Sequence, residues 1–181
     1  MSFSLRLSEV ESTIKEKIRD IRDFPKKGII FRDITPLLQD ADAFKKIVHF
    51  IADYYRDKNI DFVVSPEARG FIIGGAIACM LGAGFIPVRK PGKLPYEVEK
   101  IKYTLEYGED EIQMHKDALK KGDKVLVFDD VIATGGTARA TCKLVEKLGA
   151  RVAGVCFLIE LTELKGTEKL FEYDVFSIVK Y

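Results

Sequence analysis

What the 181-residue sequence lacks narrows its function before any motif is read. It has three cysteines, Cys79, Cys142 and Cys156, odd in number, far apart and each in an apolar run. That argues against a disulfide framework and predicts reduced, buried core thiols in a cytoplasmic protein. It has two histidines, His49 and His115, which cannot build a zinc site with such cysteines and are expected on helix surfaces. The net charge is +1, which offers no bulk electrostatic attraction to nucleic acid or membrane. The longest apolar stretch, Phe71 to Gly84, contains four glycines and is far too short to span a bilayer. Met1 to Arg6 lacks an apolar run, so no signal peptide is expected. Two phosphate-binding motifs are also missing. No GxxxxGK(S/T) occurs, and the nearest approach to GxGxxG, Gly82-Ala83-Gly84, precedes a strand pattern rather than a helix.

What is present fits one α/β domain over residues 1–181. Hydrophobic residues make up 47% and charged residues 31%, enough for a sizeable core with an ordinary polar surface. Val10, Ile14, Ile18 and Ile21 fall at helical spacing and predict an amphipathic helix from Ser8 to Arg22. Asp23 to Gly28 stops it, Ile29 to Ile34 reads as a short strand, and Thr35-Pro36 opens a helical turn. A second amphipathic helix is expected from Ala43 to Lys58. Strands follow at Ile60–Ser65 and Gly84–Arg89, flanking a helix from Phe71 to Leu81 whose small residues suggest close packing on the sheet. Val98 to Tyr107 alternates in part, and Glu111 to Met114 can answer it across Gly108-Glu109-Asp110 as a hairpin. Further strands are expected at Arg151–Leu161 and Val175–Val179. Strands and helices alternating in this order predict a mostly parallel central sheet flanked by helices.

The densest signal is Lys124 to Thr137. The apolar run Val125 to Phe128 reads as a buried parallel strand. It runs into Asp129 and Asp130, then a small-residue loop with Gly135-Gly136, then a helix pattern from Ala138 to Leu148. Thr137 is the expected N-cap, and Gly149 lies just past the end. Strand, glycine loop and helix aim backbone N–H groups and the positive end of a helix dipole at an anion. Two neighbouring acids repel phosphate, so they either merely end the strand or face hydroxyls, such as those of a ribose, or a Mg²⁺ ion. Ligands of such sheets sit beyond the carboxyl ends of strands. Three polar loops meet that rule: Pro66–Gly70, Arg89–Lys93 and Asp129–Thr137. Two acids with Arg69, Arg89, Lys90 and Lys93 suit a polyphosphate at one end and a sugar at the other.

The stretch VFDDVIATGGT at Val127–Thr137 resembles the signature of the type I phosphoribosyltransferases. Four further blocks narrow the resemblance to the adenine-using branch: Gly28–Pro36, Glu67–Phe71, Pro87–Pro95 and Tyr103–Gly108. The resemblance runs from about Phe24 to Leu164. The resemblance implies an α/β type I fold, an N-terminal segment (1–35) on the base side and a flexible hairpin hood (96–115). It implies transfer of the phosphoribosyl group of 5-phosphoribosyl 1-diphosphate (PRPP) to adenine, giving AMP and diphosphate with Mg²⁺, in a cytoplasmic homodimer. Asp129 and Asp130 would hold the ribose hydroxyls, and Ala133, Thr134, Gly135, Gly136 and Thr137 the 5′-phosphate. Glu67, Ala68, Arg69, Arg89, Lys90 and Lys93 would hold the diphosphate, with Mg²⁺ carried mainly by substrate and water. Phe31 would stack on adenine, Val131 cover its other face, and backbone near Ile30 and Arg32 read its edge. Glu106 would act as general acid/base, and Tyr107 would help close the loop. The family often carries a non-proline cis peptide in the diphosphate loop.

Two departures stand out. Ser65-Pro66 replaces the family's more usual glycine followed by Thr or an aliphatic residue, and Val131-Ile132 replaces the commoner Leu-Leu. The competing functions are a hypoxanthine- or xanthine-type transferase, or a regulator that senses PRPP while binding nucleic acid. The regulator needs a basic face or a helix-turn-helix extension, and the sequence displays neither.

Overall fold

The computed structural model describes residues 3–105 and 108–181. They form two compact units, Met1–Asp53 and Tyr54–Tyr181.

The first unit holds α1 (Phe3–Lys17), β1 (Arg19–Arg22), β2 (Ile30–Asp33), α2 (Thr35–Gln39) and most of α3 (Ala41–Tyr55). The helix expected from Ser8 to Arg22 therefore ends at Lys17. Val10 and Ile14 are buried as its spacing required, but Ile21 leaves the helical face and pairs with Phe31 across an antiparallel β1–β2 ribbon. Side chains secure that ribbon. Arg19 reaches Asp33 at 2.6 Å and Arg32 pairs with Asp20. Hydrogen bonds from Thr35, then from Arg19, hold the Asp33 carboxyl down to about 2. α3 begins at Ala41 rather than Ala43, because Asp40 accepts the N–H groups of Asp42 and Ala43 at 3.1 and 3.0 Å, an N-terminal cap. It ends at Tyr55, and Arg56–Lys58 form a tight 3₁₀ turn instead of a last α-turn.

The second unit is built on a five-stranded sheet, all parallel, from β3 (Phe62–Pro66), β4 (Gly84–Val88), β7 (Lys124–Ile132), β8 (Arg151–Glu160) and β9 (Val175–Lys180). The spatial order is β4-β3-β7-β8-β9. Strands buried on both faces need near-continuous apolar sequence, and Val125–Phe128 and Val155–Ile159 supply it. Val125 and Val127 join a core with Leu144 and Val145 of α5 (Gly136–Lys147), while Leu126 and Phe128, one residue out of phase, face the other way. A hairpin of β5 (Val98–Leu105) and β6 (Gly108–His115) packs into that same core through Ile101, Tyr103, Ile112 and Met114.

α4 (Gly70–Leu81) lies close on the sheet, as its small residues suggested. A side-chain carbon added at Gly74 would stand 2.3 Å from Ser65 Oγ, and one at Gly70 would stand 2.9 Å from Asp129 Oδ1. Several local expectations are corrected. Gly108, Glu109 and Asp110 are strand rather than turn, because the register pairs Leu105 with Gly108 and Tyr103 with Asp110. His115 lies in a strand, and Cys79 is exposed on α4, while Cys142 and Cys156 are buried. The N-cap of α5 is Gly135 in the left-handed region at φ 75°, so Thr137 sits inside the first turn. Gly149 does follow that helix, with φ 88° and its N–H bonded to Glu146. Among the described residues no helix is long and apolar enough to cross a membrane.

Candidate active site

In this strand order the chain leaves β3 toward β4 on one side, while β7 lies on the other. The loops that follow β3 and β7 therefore part above the junction of those strands, where open α/β sheets hold ligands. Two adjoining clefts occupy that place.

The first, of about 200 Å³, is lined by Pro66–Arg69, Val88, Lys90, Ile112, Asp129, Asp130, Val131 and Thr137. The peptide bond between Glu67 and Ala68 is cis. Glu67 anchors the loop after β4. Its carboxylate accepts from Arg89 Nε at 3.0 Å, from the Lys90 N–H at 2.9 Å and from Lys93 Nζ at 2.9 Å. Burial alone would raise the Glu67 carboxyl, but these three donors outweigh it and hold it below the ordinary carboxylate range. The predicted cations thus divide. Arg69 and Lys90 line the cleft, whereas Arg89 and Lys93 grip Glu67 and fix the turn that presents Lys90.

The acid pair ends β7. Asp130 is 3% exposed, and its Oδ2 lies 2.9 Å from Arg69 Nε. Asp129 Oδ1 accepts the Asp130 N–H at 2.9 Å. Burial pushes the Asp129 carboxyl well up, and the Asp130 charge adds to the rise. Burial also raises Asp130, with Arg69 pulling the other way. Holding two carboxylates so close, with one cation to offset them, costs stability and stores binding capacity for hydroxyls or a cation.

The second cleft, of about 110 Å³, is the loop itself: Asp129, Val131–Thr137 and Ala138. Gly135 and Gly136 open α5, so the first N–H groups of the helix face the cleft mouth with no side chain capping them. The loop is pressed against Gly166, which lies in a 3₁₀ segment at Gly166–Leu170. A side-chain carbon at Gly135 would stand 2.2 Å from Gly166 O, and one at Gly166 would stand 2.2 Å from Ala133 O. Sequence reasoning missed Gly166, since a lone Lys165-Gly166 after a strand signals only a turn. It also assigned no role to Tyr103 or Asp110, although Tyr103 opens one of the blocks that carry the family resemblance. The Tyr103 hydroxyl lies 3.0 Å from Asp110 Oδ2 and 3.1 Å from Thr137 Oγ1.

The base-side residues belong to the first unit. Ile30 is exposed, Phe31 meets Phe24 edge-to-face at 5.2 Å, and Arg32 pairs with Asp20, all on the β1–β2 ribbon. Val131 lines both clefts of the second unit. Glu106 and Tyr107, expected to act as acid/base and loop closer, lie outside the described residues.

The model of the phosphoribosyl transferase domain family matches residues 34–180. An adenine phosphoribosyltransferase of Clostridium kluyveri is 58% identical over 168 residues, 93% of this chain and 98% of the relative. The crystal structure of the adenine phosphoribosyltransferase of Thermoanaerobacter pseudethanolicus superposes with a TM-score of 0.91 at 50% identity, covering 97% of this chain and 99% of that one. The Saccharomyces cerevisiae enzyme, solved with an imino-altritol bisphosphate and adenine, gives 0.91 at 38% identity over 95% of this chain and 99% of its own. A strand-end acid pair beside a glycine loop and likeness over nearly the whole length agree: the chain belongs to the phosphoribosyltransferase family, in its adenine phosphoribosyltransferase branch.

Proposed function

We propose that the chain transfers the phosphoribosyl group of PRPP to adenine, releasing AMP and diphosphate. The observation that carries this reading is the pair of clefts that meet at Asp129, Val131 and Thr137, one walled by helix N–H groups and the other by Arg69 and Lys90. A molecule with phosphate at one end, diphosphate at the other and a ribose between matches that pair.

The 5′-phosphate accepts from the loop N–H groups of 133–137 and from the hydroxyls of Thr134 and Thr137. The diphosphate takes Arg69 and Lys90, helped by the backbone of Glu67–Arg69. Substrate therefore splits the Arg69–Asp130 pair, sending the cation to the leaving group and leaving the carboxylate for the sugar. Breaking the anomeric C–O bond builds positive charge on the ribose and negative charge on the diphosphate. Asp129 and Asp130 hold the ribose hydroxyls and lie beside the former; the cations face the latter. The oxygen-only donors of the acid pair suit Mg²⁺, a hard cation that keeps most of its coordination from substrate and water. Held mainly through substrate and water, Mg²⁺ would offset charge that develops on the diphosphate. Phe31 and Val131 cover the adenine faces, and backbone near Ile30 and Arg32 reads its edge. Glu106 serves a ring nitrogen as acid/base and Tyr107 closes the hood.

The assembly we propose is a cytoplasmic homodimer. α4 carries no charge along its length, and its outer face leaves Ile72 and Met80 51% and 45% exposed. A face of that kind is matched by a second copy of the chain. Competition among labelled adenine, hypoxanthine, guanine and xanthine tests the substrate. Adenine should be preferred by at least about tenfold, or about 1.4 kcal/mol in transition-state binding. Comparable rates with a 6-oxopurine would overturn the assignment.

A further inference from the structure

The Tyr103 hydroxyl touches Thr137 of the glycine loop and Lys90 of the diphosphate cleft. Its neighbours are Asp110 Oδ2 at 3.0 Å, Thr137 Oγ1 at 3.1 Å and Lys90 Nζ at 3.3 Å. Thr137 belongs to the glycine loop and lines both clefts, and Lys90 lines the diphosphate cleft. Asp110 is paired with Tyr103 in the hairpin register; its Oδ1 accepts the Glu111 N–H, and its Oδ2 is ion-paired with Lys90.

A phenol has one proton to give and accepts through its oxygen lone pairs. An ionised carboxylate only accepts, and an ammonium only donates. Tyr103 therefore gives its proton to Asp110 and accepts from Lys90. The Thr137 hydroxyl, to bond Tyr103 at all, must spend its own proton on it. A bound phosphate also only accepts, so it needs that same Thr137 proton. Once Thr137 turns to phosphate, Tyr103 can keep Thr137 as a partner only by donating to it, which withdraws the phenol proton from Asp110. Asp110 Oδ2 then keeps Lys90 but loses the phenol proton. Conversely, a diphosphate that draws Lys90 away leaves Asp110 more dependent on the Tyr103 proton, so Tyr103 cannot give that proton to a Thr137 that has turned to phosphate.

We propose that Tyr103 is a positioning residue that sets the two clefts against each other through its single proton, so that anions filled separately into them bind antagonistically. This rests on the assignment of the clefts to the two ends of PRPP. In PRPP both anions belong to one molecule, and the linkage carries them in together. After the anomeric bond breaks they belong to two products, and each then weakens the hold on the other. The hub thereby favours release of diphosphate once it has formed.

The test uses the full chain, Mg²⁺, and calorimetric titration with pyrophosphate and ribose 5-phosphate, which lacks the base needed for reverse reaction. In the wild type, saturating ribose 5-phosphate should weaken pyrophosphate about three- to tenfold, the size of one net hydrogen bond. The reciprocal experiment must give the same factor. Direct repulsion between the two anions contributes to that factor in any variant, so the comparison is with Tyr103→Phe. That variant keeps the ring, should bind each ligand alone within about threefold of wild type, and should lower the antagonism by at least about threefold. Asp110→Asn, which releases the phenol proton by a different change, should lower it as well. An unchanged factor in both variants, or independent binding in the wild type, overturns the coupling alone. Failure of the wild type to bind either ligand overturns the coupling together with the cleft assignment.

Discussion

The two clefts share three residues yet are made by opposite means. The loop cleft has no Lys or Arg in its lining; it offers backbone N–H groups and a helix terminus, and its shape depends on glycines packed against glycine. The diphosphate cleft is a construction of charge: Glu67 fixes the loop that carries Arg89, Lys90 and Lys93, and Arg69 rests on Asp130. The difference follows from the chemistry proposed for each. A 5′-phosphate is held through the whole reaction and needs a fixed cradle. A leaving diphosphate gains charge as the bond breaks, and cations already positioned there answer that change. The first cleft should therefore fail by steric obstruction, the second by altered charge.

Gly135→Ala should have the largest effect. The added carbon meets Gly166 O at 2.2 Å on a residue with φ 75°. Ribose 5-phosphate affinity should fall at least about 100-fold and stability by about 2 kcal/mol, as overpacking and left-handed strain both act. Unchanged titrations and melting would mean that the glycine contact does not shape the cradle. Asp130→Asn comes next. It should lower kcat about 100-fold and weaken AMP binding by a smaller factor, about tenfold, because the ribose hydroxyls meet it in the ground state but the sugar charge appears only in the transition state. Equal losses in both would remove that role.

Glu67→Gln is milder and should separate the clefts. Pyrophosphate should bind about tenfold more weakly, as Arg89 and Lys93 lose their anchor, with ribose 5-phosphate unaffected. Because the folded state lowers this carboxyl, its contribution is complete above the ordinary value of 4.5 and is lost as pH falls through the lowered one. The ratio of pyrophosphate affinities between wild type and Glu67→Gln should thus hold down to about that pH. Asp129→Asn has the smallest effect on the fold, and of opposite sign. The native carboxyl is raised, so its ionisation destabilises the fold at neutral pH. The variant should melt higher by about 1 kcal/mol near pH 7, a gain that fades as pH falls toward the ordinary 3.8, while turnover drops.

Much of this was legible before the structure because the signals were local. An apolar run, two acids and a glycine pair lie within fourteen residues, and the helix and sheet periods identify their elements. Where signals were ambiguous, reading failed for physical reasons. Ile18 and Ile21 satisfy a helical period by number alone, but ion pairs across Arg19, Asp20, Arg32 and Asp33 turn that segment into a ribbon. Cys79 sits in an apolar sequence that predicts burial, yet it faces outward because α4 is apolar on more than its sheet side. Gly166 supports Gly135 from thirty-one residues away (166 − 135), and Tyr103 reaches Thr137 from thirty-four away, contacts that no local pattern displays.

The central claim is that the two clefts grip the two ends of one PRPP with the anomeric bond between them at the acid pair. A crystal structure with PRPP, Mg²⁺ and an unreactive adenine analogue tests it directly. The account predicts the 5′-phosphate on the N–H groups of 133–137, the diphosphate on Arg69 and Lys90, and ribose hydroxyls on Asp129 and Asp130. Diphosphate in the glycine loop, or a sugar away from the acid pair, would contradict it.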